Sequence, residues 1–187
     1  NNDDAYVIES GNAKGIDILI RYKKSNMYIW AVYSLGFIDR NDGNKNYTPH
    51  FDRRHNANIV MSYKFGENNS WKTDIRWNLG SGFPFTQTQG FYESLTFSEG
   101  INTDYTTNNG ELGIVYADLN EGRLPYYHRL DMSISKNIEL TRKSNLDITA
   151  SVTNAYNREN IFYFNRIEYN RVNQLPLMPS LGLSLTF

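Results

Sequence analysis

The side chains with the most obvious capacity for chemistry are three histidines, His50, His55 and His128. Asp52 and His55 stand three positions apart where an alternating segment begins, which is the composition of an acid/base pair or of half a metal site. The same residues also suit a plainer role: Asp52, Arg53 and Arg54 as a charged, hydrogen-bonded cluster that ends a loop and orients the next strand. The plainer role is the expectation, because no Ser-His-Asp order, HExxH or paired-carboxylate spacing recurs, and no enzymatic activity is expected. Asp39-Arg40-Asn41-Asp42-Gly43-Asn44 alternates oxygen ligands ahead of a glycine, as calcium loops do, but lacks their closing Glu at the right distance. It reads as a turn, and the oxygen-rich 102–109 as a solvated loop. No metal and no cofactor is expected.

A second set of polar residues is placed by periodicity. Trp71, Thr73, Ile75, Trp77 and Leu79 alternate with Lys72, Asp74, Arg76 and Asn78, and a face made of Lys, Asp, Arg and Asn cannot be a dry core unless every charge is paired. It must meet water. Asp131 and Asp147 hold the same position in later segments, as do Asp17, Arg21, Asn58 and Lys64 in earlier ones. Lining a substrate path and hydrating an interior are both open to this set.

Those residues need strands to carry them. The period-two segments are Gly15 to Lys23, Met27 to Phe37, His55 to Gly66, Ser70 to Leu79, Leu124 to Ile138, Asn145 to Asn154, and the last run, in which Leu181, Leu183, Leu185 and Phe187 alternate with Gly182, Ser184 and Thr186. Connections between them are short, long, short, long, short, long. Long hydrophilic segments on one side and tight turns on the other are the anatomy of an outer-membrane barrel rather than of a Greek-key sandwich. Aromatics gather near the tight turns (Tyr22, Tyr28, Tyr63, Phe65, Trp71, Phe187) and near the opposite strand ends (Phe83, Phe85, Tyr126, Tyr127, Tyr156), as two interfacial girdles would.

Composition excludes other classes. There is no cysteine, hence no disulfide framework or thiol nucleophile, and 19 basic against 20 acidic residues give no reason to expect a nucleic-acid partner. No apolar run approaches the roughly 20 residues of a membrane-crossing helix. Asn1-Asn2-Asp3-Asp4 is not a signal peptide, so the stretch is expected to be part of a longer exported protein.

Several strings resemble the C-terminal barrel of TonB-dependent outer-membrane receptors: Phe51-Asp52-Arg53-Arg54-His55-Asn56 opening a strand, Ser81-Gly82-Phe83-Pro84-Phe85-Thr86 closing the next, Arg123 to Asp131, Val152-Thr153-Asn154-Ala155-Tyr156-Asn157-Arg158-Glu159-Asn160, and Pro179-Ser180-Leu181-Gly182 leading to a terminal Phe. The resemblance implies an all-β fold: about seven C-terminal antiparallel strands of a plugged transmembrane barrel of about 22 strands, with residues 1–187 one portion of that barrel and the plug elsewhere. It implies that Leu181, Leu183, Leu185 and Phe187 form the terminal-strand assembly signal, in the outer membrane of a Gram-negative bacterium.

Its implied partners are outer-membrane lipid, the remainder of the barrel and plug, TonB through an N-terminal part, and, in some members, a surface lipoprotein. The family's oligosaccharide importers with a lipoprotein lid end on a different terminal strand, so the likeness is to the broader class. The implied activity is energy-coupled import of a scarce nutrient such as a metal chelate, cobalamin or an oligosaccharide. The alternative is a barrel retained as a structural or assembly subunit without transport. Asp74, Arg76, Asn78, Asp131 and Asp147 are the expected lumen-facing residues. Phe83, Phe85, Phe91, Tyr92 and Phe97, on the outer loops, offer aromatic surface to a substrate.

Overall fold

The computed structural model describes residues 9–94 and 110–187. The chain is all-β, with antiparallel sheets. In order, the strands are β1 (Ser10–Lys24), β2 (Met27–Asn41), β3 (Asn46–Tyr47), β4 (His55–Phe65), β5 (Trp71–Gly80), β6 (Pro84–Phe85), β7 (Thr88–Ser94), β8 (Glu111–Tyr116), β9 (Gly122–Arg123), β10 (Tyr127–Thr141), β11 (Ser144–Thr153), β12 (Ile161–Asn165), β13 (Asn170–Asn173) and β14 (Met178–Thr186). The seven long ones are those expected from period two, and they form one path, β1-β2-β4-β5-β10-β11-β14, which is open, with β1 and β14 at its edges.

The segments read as long loops are not structureless. They hold the hairpins β7-β8 and β12-β13, the pair β6-β9, and β3, which pairs with the end of β2. These strands escape period-two reading because each has only two to seven residues, too few for alternation to stand out from loop composition.

The chain falls into two compact units: residues 1–12, 38–52 and 83–123 form one, and 13–37, 53–82 and 124–187 form the other. The second contains the body of the long sheet. Antiparallel register puts directly opposed residues on the same face, and the rows sort by chemistry. On one face Ile29, Met61, Ile75, Met132, Val152 and Pro179 lie in one row, and Met27, Tyr63, Thr73, Ile134, Ala150 and Leu181 in the next. On the other, Ser62, Asp74, Ser133, Ser151 and Ser180 form a row.

Burial is inverted relative to a water-soluble domain. Among the described residues no Val, Ile, Leu, Met, Phe, Tyr or Trp is buried, and the four buried polar residues are Asp52, Ser81, Asn154 and Asn160. Leu181 and Leu183 are 74% and 70% exposed.

Both ends of the apolar face carry rings. At the tight-turn end Tyr63, Phe65 and Trp71 stack in series, centroids 5.9 and 6.2 Å apart, and the Lys136 ammonium lies 4.8 Å from the Trp71 ring while donating to Ser70 Oγ. At the opposite end Tyr33 bonds His55 at 2.8 Å and Tyr156 bonds His128 at 2.7 Å. From Ala57, opposite Tyr33, to Phe65 is eight residue steps along β4, about 27 Å along a strand. Two aromatics expected in the girdles belong to the other face: Tyr28 is opposite Ser62 with Arg21 over its ring, and Tyr127 is opposite Gly80 with Arg53 over its ring.

Candidate functional site

The polar face of β4, β5, β10 and β11 gathers the residues expected to face a lumen. Asn78 lies opposite Asn58 and Arg129, Arg76 opposite Val60 and Asp131, and Asp147 opposite Asn137, which donates to it at 2.8 Å. Within the face most charges are matched along their own strand at i,i+2, the spacing that returns a side chain to the same side. Lys72 pairs with Asp74 at 2.9 Å and Arg129 with Asp131 at 2.9 Å. The second Asp131 oxygen accepts the Asn154 N–H at 3.0 Å.

Between these pairs lies a concavity of about 370 Å³, lined on the polar side by Val60, Asp74, Arg76, Asp131, Ser133, Ser151 and Thr153. Arg76 makes no ion pair or side-chain hydrogen bond among the described residues. Periodicity finds the charged members. It puts Val60, Ser133, Ser151 and Thr153 on the same faces of their strands, and the register is what brings them together around Arg76. Nor is the face polar throughout. Over β2 it carries Tyr28, Trp30 and Val32, opposite Ser62, Val60 and Asn58.

Above the concavity the strand ends are tied by side chains that imitate backbone. Ser81 donates its N–H to the His55 carbonyl at 2.8 Å, and its hydroxyl accepts the His55 N–H at 3.0 Å. The Asn160 carboxamide does the same for His128. Asn154, at φ +54°, donates to the carbonyls of Arg158 and Leu175 at 2.9 and 3.0 Å and accepts the Arg158 N–H at 3.0 Å. A Cβ on Gly80 would lie 2.4 Å from the Arg53 guanidinium carbon, and one on Gly82 would collide with the Leu124 carbonyl. The strings that carry the family resemblance therefore supply clamps and close approaches at the strand ends. Burial pushes the Arg53 guanidinium's pKa down and the Tyr156 hydroxyl's up.

In the other unit Asp52, with no exposed surface, forms an ion pair with Arg123. Arg123 is not among the partners expected for Asp52, which were Arg53 and Arg54; Arg53 lies over the Tyr127 ring and Arg54 over the Phe37 ring at 5.2 Å. The calcium-like string is the last three residues of β2 followed by a turn. Asp42 Oδ1 accepts the N–H groups of Asn44 and Lys45 at 2.8 and 2.7 Å, and Asn41 accepts that of Gly43, whose φ is +95°. These backbone donors, Lys45 first, hold the Asp42 carboxyl below its ordinary range.

The aromatics expected to meet a substrate lie on several short elements. Phe91 and Tyr92 are consecutive on β7 and so face opposite sides. Tyr92 lies across Gly113, its register partner, where a Cβ would meet the ring at 2.4 Å. Phe85 packs beside Gly122, Phe83 is exposed, and Phe97 lies outside the described residues. At the C-terminus Leu181, Leu183 and Leu185 face the apolar side, opposite Ala150, Ile148 and Leu146, and Phe187 is exposed.

Comparison with protein-family models, with curated proteins and with solved structures returned no match.

Proposed function

We propose that this chain forms part of the wall of an energy-coupled, TonB-dependent importer in the outer membrane of a Gram-negative bacterium, with the apolar face toward lipid and the charged face toward a wet interior. The observation that carries this reading is the sorting of the long sheet: every row of one face is dominated by uncovered aliphatic and aromatic side chains, while the opposite face holds ion pairs and hydroxyl groups. In water such a sheet would aggregate, whereas in a bilayer the arrangement is the stable one. The ring-bearing rows at both ends of the apolar face, and the connections that are tight at one end and elaborate at the other, support the same orientation.

The cargo reading, a metal chelate, cobalamin or an oligosaccharide, rests on the strings that resemble the receptor family, as do the partners: the rest of the barrel, its plug, and TonB. Two measurements test the proposal. The full-length protein should fractionate with outer membranes, require detergent for extraction and shift in gel mobility on boiling. Deleting it should abolish growth on one such scarce nutrient in a manner that also requires TonB. Loss of the first result removes the membrane reading. Loss of the second alone leaves a barrel that serves as a structural subunit.

A further inference from the structure

The connection between β11 and β14 folds back as the hairpin β12-β13, a sheet of its own. Ile161 is paired with Asn173 and Tyr163 with Val172, so Phe162 is the extra residue of a β-bulge, a device that re-aims a side chain. Its ring is 67% exposed, and Tyr163, also exposed, meets it edge-on with centroids 5.6 Å apart. The hairpin that presents these rings is tied at both ends. At its turn Asn165 accepts the N–H groups of Ile167 and Glu168, each at 3.2 Å, and donates to the Glu168 carboxylate at 2.9 Å. At its base Gln174 donates its N–H to the Asn160 carbonyl at 2.7 Å, and the Leu175 carbonyl accepts from Asn154 at 3.0 Å. An exposed ring held this firmly loses little freedom when a ligand covers it.

Beside Phe162 lies an open concavity of about 510 Å³, walled by Phe162, Asn173, Gln174, Leu175 and Pro176, a size inside the range of ligand pockets, about 300–1,000 Å³. These walls offer a ring, aliphatic carbon and two carboxamides, and no ionisable group. Oδ1 of Asn173 is enclosed and has no hydrogen-bond donor among the described residues, an unmade bond that costs stability and that a ligand hydroxyl completes. Gln174 is exposed, with Nε2 3.4 Å from the Ile161 carbonyl. A carboxamide presents donor and acceptor side by side, which is what the neighbouring hydroxyls of a sugar require, while the negative face of a phenyl ring receives the C–H side of a pyranose. An ionised metal chelate would find no countercharge on these walls.

We propose that this concavity is a recognition site for an uncharged oligosaccharide, with one sugar ring stacked on Phe162 against Leu175 and Pro176 and its hydroxyls bonded to the carboxamides of Asn173 and Gln174. This narrows the cargo to one class, and it rests on the reading that the chain is the wall of an importer whose β11-β14 connection faces outward.

The test titrates the full-length protein, purified in detergent, with neutral gluco-, manno-, galacto- and xylo-oligosaccharides by calorimetry, and in parallel with cyanocobalamin and ferric citrate. One sugar series is expected to bind, and to bind about tenfold more weakly to Phe162→Ala, as loss of a stacked ring predicts. Phe162→Trp should restore the affinity, and Tyr169→Ala, at an exposed turn residue outside the concavity walls, should leave it unchanged. Binding of no sugar series, sugar binding indifferent to Phe162→Ala, or binding of cyanocobalamin or ferric citrate that depends on Phe162 would overturn the proposal. Import is read separately, from growth. Phe162-dependent sugar binding without TonB-dependent growth on that sugar removes import and leaves the site, whereas TonB-dependent growth on a ferric chelate with no sugar bound removes the site and leaves import.

Discussion

Asn160 and His128 are joined as if both were strand residues: the Asn160 carboxamide accepts the His128 N–H at 3.1 Å and donates to the His128 carbonyl at 2.9 Å. Only 4% of Asn160 is exposed. Asn160→Ala leaves a peptide N–H and C=O without partners, at a cost of about 2 kcal/mol. Amide exchange at His128 should accelerate accordingly, and Asn160→Asp, which keeps the acceptor and loses the donor, should recover part of the loss.

The two faces of β5 should respond oppositely to the same charge. Ile75 sits mid-row on the apolar face between Met61 and Met132, whereas Asn78 is on the other face. Ile75→Arg is expected to cost about 2–4 kcal/mol in folding into lipid vesicles and Asn78→Arg little. Equal costs would show that the faces are assigned wrongly.

Asp52 is fully enclosed and its partner Arg123 is one-third exposed. Asp52→Ala removes the buried half and should cost about 3 kcal/mol. The loss should appear as faster amide exchange in the β6-β9 pair, where Arg123 is opposite Pro84, with the β10-β11 ladder unaffected.

Tyr92 covers Gly113 across the β7-β8 hairpin. Gly113→Val must displace that ring, at about 1–3 kcal/mol, and amide protection of the register partners Phe91 and Ile114 should fall. Gly90, with nothing near its missing Cβ, should accept Ala with little change.

The Asp42 turn gives a pH dependence of known sign. Two backbone N–H groups hold the carboxyl below its ordinary value of 3.8, so the folded state favours the ionised form. The stabilisation is present above that ordinary value and disappears as pH falls through the lower folded one. The Asn44 and Lys45 amide resonances should move together in that acid window, and Asp42→Asn should abolish the transition.

The seven long strands were legible because each carries enough residues for alternation to repeat, and alternation states which residues share a face before any partner strand is known. The segregation of Asp74, Arg76 and Asn78 from Ile75 and Trp77 is thus written in the sequence. The short strands were not legible, since pairs such as Pro84-Phe85 with Gly122-Arg123 exist only because distant segments meet. For the same reason Asp52 could be assigned to a charged cluster but not to Arg123, 71 positions away.

Register was the decision left to tertiary structure. A strand's own sequence fixes its two faces, but only hydrogen bonding to neighbours fixes which residue stands beside which, and one slip would reverse every facing relation. Trp30, Val60, Arg76 and Asp131 are scattered over about a hundred positions and share no local motif. They became one row because three ladders stagger them into line. Chain periodicity determined that this protein has an oily side and a charged side, and the ladders determined where on the charged side a cation was left unmatched.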